Sequence, residues 1–156
     1  MICEHYFADC DMAVLDLTAW SDILPLEYRI LAINLFADVF VADSHGHIHK
    51  LETSHGKIRR IANSEADFQN RCSDVNSEES GDWLLKKLVD QCRDCGLVPR
   101  SGQCYAFTIL PILGGEYDVE NIYVGSFNER INFLSYMYCQ LKDLPDGTQV
   151  SIEIVD

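Results

Sequence analysis

The stretch DSHGHIHK, Asp43 to Lys50, sets His45, His47 and His49 within five residues. Imidazoles are metal ligands and pH-responsive groups. His47 and His49 are two apart, so on a strand they share a face, and two imidazoles so placed can chelate zinc. A zinc site needs a third or fourth ligand and groups that orient the first ones. His45 lies in a glycine-bearing turn from which it can swing over, whereas His55 falls in the next turn, at the far end of the strand. Ligand count therefore favours a hairpin whose imidazoles face solvent, with metal binding by His45, His47 and His49 as the weaker alternative.

Two further groups invite a chemical reading. Cys92 and Cys95 form a CxxC in CRDC. Redox pairs of this form sit at a helix N-terminus, where the dipole lowers a thiol pKa. This pair closes a helical stretch, Cys92 falls on its apolar stripe, and no second CxxC completes a zinc site. A structural role follows. In LGGEYDVEN (113–121) the glycine pair lacks the Gly-Lys-Ser/Thr ending of a phosphate-binding loop, so Gly114 and Gly115 read as turn residues. Glu116, Asp118 and Glu120 alternate, and with Asp143 and Asp146 they make an acidic patch if the loops converge. As paired catalytic carboxylates they lack a cleft residue set. No Ser-His-Asp or Cys-His arrangement is enforced by spacing, so no catalytic residue, metal or cofactor is assigned.

The elements that position these groups follow from periodicity. MAVLDLTAWSDIL (12–24) has a poor helical stripe ended by Pro25, and LEYRILAIN (26–34) reads as a short second helix. The period then drops to two. DVFVAD (38–43), HIHKLE (47–52) and KIRRIA (57–62) read as strands joined by the turns SHGH and TSHG, a three-stranded meander with Ile48 inward and His47 and His49 outward. Ser64 opens a helix over 64–72. Residues 73–82 read as a polar loop, 82–96 as a helix ended by Gly96, and 103–110 as a strand. A strand near 121–125 leads into a helix from Ser126 to Leu141 with the stripe Phe127, Ile131, Leu134, Tyr138, Leu141. LPDGT, with Pro145 and Gly147, is a turn, and 149–155 is a closing strand. The order predicts an α+β fold in a single domain, its sheet antiparallel or mixed with helices packed on it.

Composition narrows the partners. The 156 residues and 47% apolar content suit one core. Twelve basic against 25 acidic residues give a formal net charge of −13, which repels nucleic acid and anionic membranes and suits a basic partner. No stretch approaches the ~18 apolar residues of a membrane span. The N-terminus carries acids where a signal peptide needs bases, and the seven cysteines are odd in number and irregularly spaced. Reduced thiols in a cytoplasmic protein are the simplest account.

One pattern reaches further. Residues 102–152 hold an aromatic strand ending near Pro111, the Leu113-Gly114-Gly115 turn, the Glu120-Asn121 pair, a helix of about sixteen residues and Leu144-Pro145-Asp146-Gly147, in that order. This segment resembles the C-terminal domain of bacterial type VI secretion DNase-immunity proteins. The likeness extends more weakly over 34–62, the family's meander, where Ala37 stands in place of the usual glycine. The resemblance implies an intracellular antidote that binds and blocks a toxin delivered between bacteria, often a nuclease, and it carries no catalytic residues. Larger members have a separate N-terminal domain, expected here to be absent or much reduced.

The expectation is thus a single immunity-type domain over 1–156: a helical lead-in (1–35), a β-meander (36–62) and the most specific family segment (102–156). It is a non-catalytic, cytoplasmic inhibitor of a basic toxin, and it uses no cofactor. Glu116, Tyr117, Asp118, Glu120 and Asn121 are the candidate partner-binding residues, while Gly114, Gly115, Pro145 and Gly147 hold turns. The alternatives are a small metal- or thiol-dependent enzyme and a housekeeping protein-interaction module.

Overall fold

DVFVAD carries large apolar side chains at consecutive positions, so a strand made from it must be covered on both faces. In the computed structural model, which describes residues 4–152, it forms β2 (Val39–Asp43). β2 is an inner strand of an antiparallel sheet ordered β1 (Tyr28–Ile33), β2, β3 (Ile48–Glu52), β4 (Lys57–Ala62). Val39, Val41 and Leu51 pack on one side with Trp20, Leu134 and Tyr138. Phe40, Ala42 and Ile48 pack on the other with Phe68, Trp83 and Leu84. The meander is therefore the buried middle layer. His49 is not outward: it pairs with Val41 and its side chain is 19% exposed.

Helices cover both faces. α1 (Glu65–Ser73) begins where expected, with the Ser64 hydroxyl accepting from the Asp67 N–H at 3.0 Å. α2 (Glu78–Leu84) and α3 (Lys86–Asp94) follow. β5 (Gln103–Phe107) pairs antiparallel with β6 (Ile122–Ser126), and α4 (Phe127–Leu141) closes the order. The Tyr105, Phe107 and Ile122 side of the small sheet packs with Phe36 and α3. Cys104 joins Phe127, Ile131 and Leu134 of α4. The α4 stripe is as the sequence predicts, with Met137 and Arg130 also buried. The fold is α+β, and both sheets are antiparallel.

Five stretches differ from expectation, the first four for a local reason. Residues 26–34 form β1, not a helix. A bulge at Leu31 shifts the register between Ile30 and Ala32, so Ile30 and Ile33 reach the same face although three apart. That spacing imitates a helical stripe. Residues 12–24 form only 3₁₀ turns, Met12–Val14 and Thr18–Trp20. The Asp11 and Asp16 carboxylates accept from the N–H groups of Ala13 and Thr18 at 3.0 and 2.9 Å and draw the backbone away from an α-helix. The expected polar loop 73–82 contains the start of α2, whose N-cap Ser77 accepts from the Ser80 N–H at 3.2 Å. The expected helix over 82–96 is broken at Leu85, which takes the left-handed conformation (φ 51°). The closing strand is absent over residues 149–152, which are exposed and irregular, while 153–155 lie outside the described residues.

Candidate partner-binding surface

The histidine hairpin is organised by one carboxylate. Asp43 ends β2, and its Oδ1 accepts from the N–H groups of His45 (2.9 Å) and His47 (3.0 Å). Its Oδ2 lies 2.9 Å from His49 Nε2 and 3.6 Å from His47 Nδ1. The hydrogen bond with His49, aided by the two backbone donors, holds the Asp43 carboxyl well below the usual carboxylate range. Among the described residues no three His, Cys, Asp or Glu side chains converge in a metal-holding arrangement. The rings of His47 and His49 face the Asp43 carboxylate at the hairpin.

Two buried thiols are set against reactivity. Cys92 is fully buried at the end of α3, Cys95 follows that helix and is exposed, and both are free. Burial pushes the Cys92 thiol up to about 11 and that of Cys104 to about 12. A nucleophilic or redox cysteine requires the opposite shift.

The acidic loop is a rigid structure rather than a loose excursion. Asn121 clamps it: its Oδ1 accepts from the Ile109 N–H at 2.9 Å, and its Nδ2 donates to the carbonyls of Ile109 (3.0 Å) and Glu116 (2.9 Å). Asp118 accepts from the Glu120 N–H at 2.9 Å. Gly114 has φ 91°, as a turn glycine should. Gly115 serves a different purpose, since a Cβ there would sit 1.8 Å from the Ile109 carbonyl oxygen. Beyond α4, Pro145 accepts from the Thr148 N–H at 3.2 Å and Gly147 has φ 81°, which closes the second turn. Glu116, Asp118 and Glu120 remain exposed at the surface.

Tyr117 joins this loop to the main sheet. Its ring lies edge-on to Phe107 and stacks on His55, to which its hydroxyl is hydrogen-bonded. Here begins a charged cleft that the sequence does not announce. Lys50 stands on the Phe40 side of β3, 3% exposed, with Nζ 3.5 Å from Asp38 and 3.6 Å from Glu52. Asp38 also accepts from the Thr53 N–H (3.0 Å) and Asn34 Nδ2 (3.1 Å). Arg59 links Glu52 (3.1 Å) to Asp82 of α2 (2.6 Å). Burial raises the Tyr117 hydroxyl to about 12, and the carboxylates of Asp38, Glu52 and Asp82 add to that shift.

Asp38, Lys50, Glu52, His55, Asp82 and Tyr117 line a cleft of ≈ 270 Å³. Among the described residues two non-glycine residues have positive φ: Leu85, which lines the cleft, and Ala37 (φ 67°), which precedes the lining residue Asp38. Such conformations cost about 1–2 kcal/mol each. Ala37 is also the position at which the family resemblance calls for glycine, and its φ supplies the reason. A second cleft of ≈ 420 Å³ lies between α4, the Pro145 turn and the β3–β4 turn, and includes Asp143 and Asp146. The two clefts meet at Ser54 and His55, which line both.

The sequence held one usable signal for this site. Lys50 occupies an apolar-face position in a strand that is otherwise buried, which obliges it to find carboxylates. Asp38, Ser54 and Asp82 come from three segments, and only the fold shows that they meet.

The fold and surface define an α+β protein with a rigid acidic loop beside a polar cleft. Residues 62–138, just under half of the chain, match the family described as T6SS immunity protein Tdi1, C-terminal, and over that segment the chain is similar to this type VI secretion immunity family. The match begins where the meander ends. It includes the Gly114-Gly115 turn and the Glu120-Asn121 pair, and stops before the Pro145 turn. Among solved structures, the crystal structure of Atu4351 from Agrobacterium tumefaciens is similar in fold, with a TM-score of 0.50 and 12% identity over 69% of this chain. The chain spans about half (53%) of the length of that protein. No curated protein matches the sequence.

Proposed function

We propose that the protein is a non-catalytic inhibitor that binds a cognate secreted toxin in the cytoplasm and neutralises it by occlusion. The single observation that carries this reading is the immunity-family match over residues 62–138. The physical setting supports it. A net charge of −13 steers the protein toward a basic surface and raises association rates by roughly 10–10³ at low salt. A toxin that handles DNA presents such a surface, so a nuclease is the partner we favour. Cys10, Cys92, Cys95, Cys104 and Cys139 are in no disulfide, which suits a reducing compartment, and among the described residues no helix is long and apolar enough to cross a membrane.

For the contact face we propose the loop 116–121. Glu116, Asp118 and Glu120 supply charge and Tyr117 supplies an aromatic anchor, the residue type that carries much of the energy at interfaces. Asn121 contributes by fixing the shape of the loop. Co-expression with the product of the adjacent gene tests the reading. The expected result is a stoichiometric complex that loosens as salt is raised. Failure to retain the neighbouring product would remove the proposal, and retention insensitive to salt would remove its electrostatic part.

A further inference from the structure

The cleft beneath Tyr117 has unfinished electrostatics. Asp38, Glu52 and Asp82 face two cations, Lys50 and Arg59; each carboxylate has an ion-pair contact, but the set carries one net negative charge. Buried and half-buried charges are normally balanced. One hydroxyl is unfinished too. Ser54 is 6% exposed, and its Oγ has no hydrogen-bond partner among the described residues although it lines the cleft. Phe107 and Tyr117 add aromatic rings. A single monovalent cation with several N–H donors and a flat face would complete the charge balance, satisfy Ser54 and stack on an aromatic wall. A guanidinium has all three properties, and an ammonium lacks the last. Size points the same way. The ≈ 270 Å³ available is below the ~300–1,000 Å³ of ordinary small-molecule pockets and suits one side chain.

We propose that this cleft receives one arginine side chain of the toxin. The assignment rests on the inhibitor reading above and names the chemistry of its contact. The acidic loop attracts the partner, and the cleft fixes its register by taking a cation between β3, α2 and Tyr117.

The test uses the full chain and N-acetyl-L-arginine amide as probe, followed by NMR shifts of Ser54, His55 and Tyr117. Saturable shifts are expected, with a Kd of about a millimolar, and none with N-acetyl-L-norleucine amide. Asp82→Lys places the chain's own cation at the mouth and should weaken the probe at least about tenfold; its site is 61% exposed, so the fold should persist. Ser54→Ala removes an unpartnered hydroxyl. It should leave stability unchanged or improved while weakening the probe, an outcome that a merely structural serine would not give. No saturation, or equal shifts with the norleucine probe, overturns the assignment. The toxin separates the two claims. If wild type and Asp82→Lys hold the toxin equally tightly, the cleft assignment is overturned and the inhibitor reading stands. If wild type captures the arginine probe but no toxin, the inhibitor reading falls, and with it the assignment of that arginine to a toxin.

Discussion

Gly115 and Asn121 hold the acidic loop by contact and by hydrogen bonding respectively. A Cβ at Gly115 would occupy the space of the Ile109 carbonyl, and backbone there cannot yield without opening the turn. Gly115→Ala should destabilise by about 1–3 kcal/mol, as overpacked sites do. Asn121→Ala removes three hydrogen bonds and should cost about 1–3 kcal/mol. Urea titration checks both, and unchanged midpoints would mean that the loop is not clamped as described. Titration adds a second residue-scale expectation. The thiols of Cys92 and Cys104 have folded pKa values of about 11 and 12 against an ordinary 9.0, and the Tyr117 hydroxyl about 12 against 10.0. Raised acids favour the protonated, folded form, so their contribution is complete below the ordinary value and is lost as pH rises from 9 toward 12. Asp43 has the opposite sign. Its depressed pKa stabilises the fold above the ordinary carboxylate range and is lost on acidification below it. Thermal melts across pH should therefore fall at both ends, with Asp43→Asn flattening the acid limb only.

At the scale of elements, long periodic segments declared themselves and interrupted ones did not. The α4 stripe, the strands β2 to β4 and the Ser64 cap of α1 were all legible, because one spacing or one capping residue decides each. β1 was not, since the bulge at Leu31 gives a strand the spacing of a helix. The α2–α3 break was hidden because Leu85 is a poor left-handed residue, and only tertiary packing retains it there. Of the proposed contact face, the acidic loop and Tyr117 are proposed from the sequence itself. The cleft could not be read there, because Asp38, Lys50, Ser54 and Asp82 share no sequence pattern. α2 carries Asp82 to the cleft and Trp83 to the core, and its first turn depends on Ser77. Ser77→Ala should lower stability by ~1 kcal/mol, measured by chemical denaturation.

The whole molecule combines a double-sided core with a strongly negative exterior. The core covers both faces of the four-stranded sheet, and Tyr117 ties the acidic loop to that sheet's β3–β4 turn through His55. The net charge of −13 then acts at a distance on whatever basic surface approaches. On this account affinity is divided by range: steering by the exterior, register by the cleft, occlusion by bulk. Steering predicts an association rate that drops steeply with ionic strength while dissociation changes little, a split that stopped-flow binding resolves. The central claim is neutralisation by binding, and the most direct measurement titrates the purified toxin's activity with this protein. The account predicts a linear fall to zero at one equivalent. Toxin activity that persists undiminished in excess protein would contradict it.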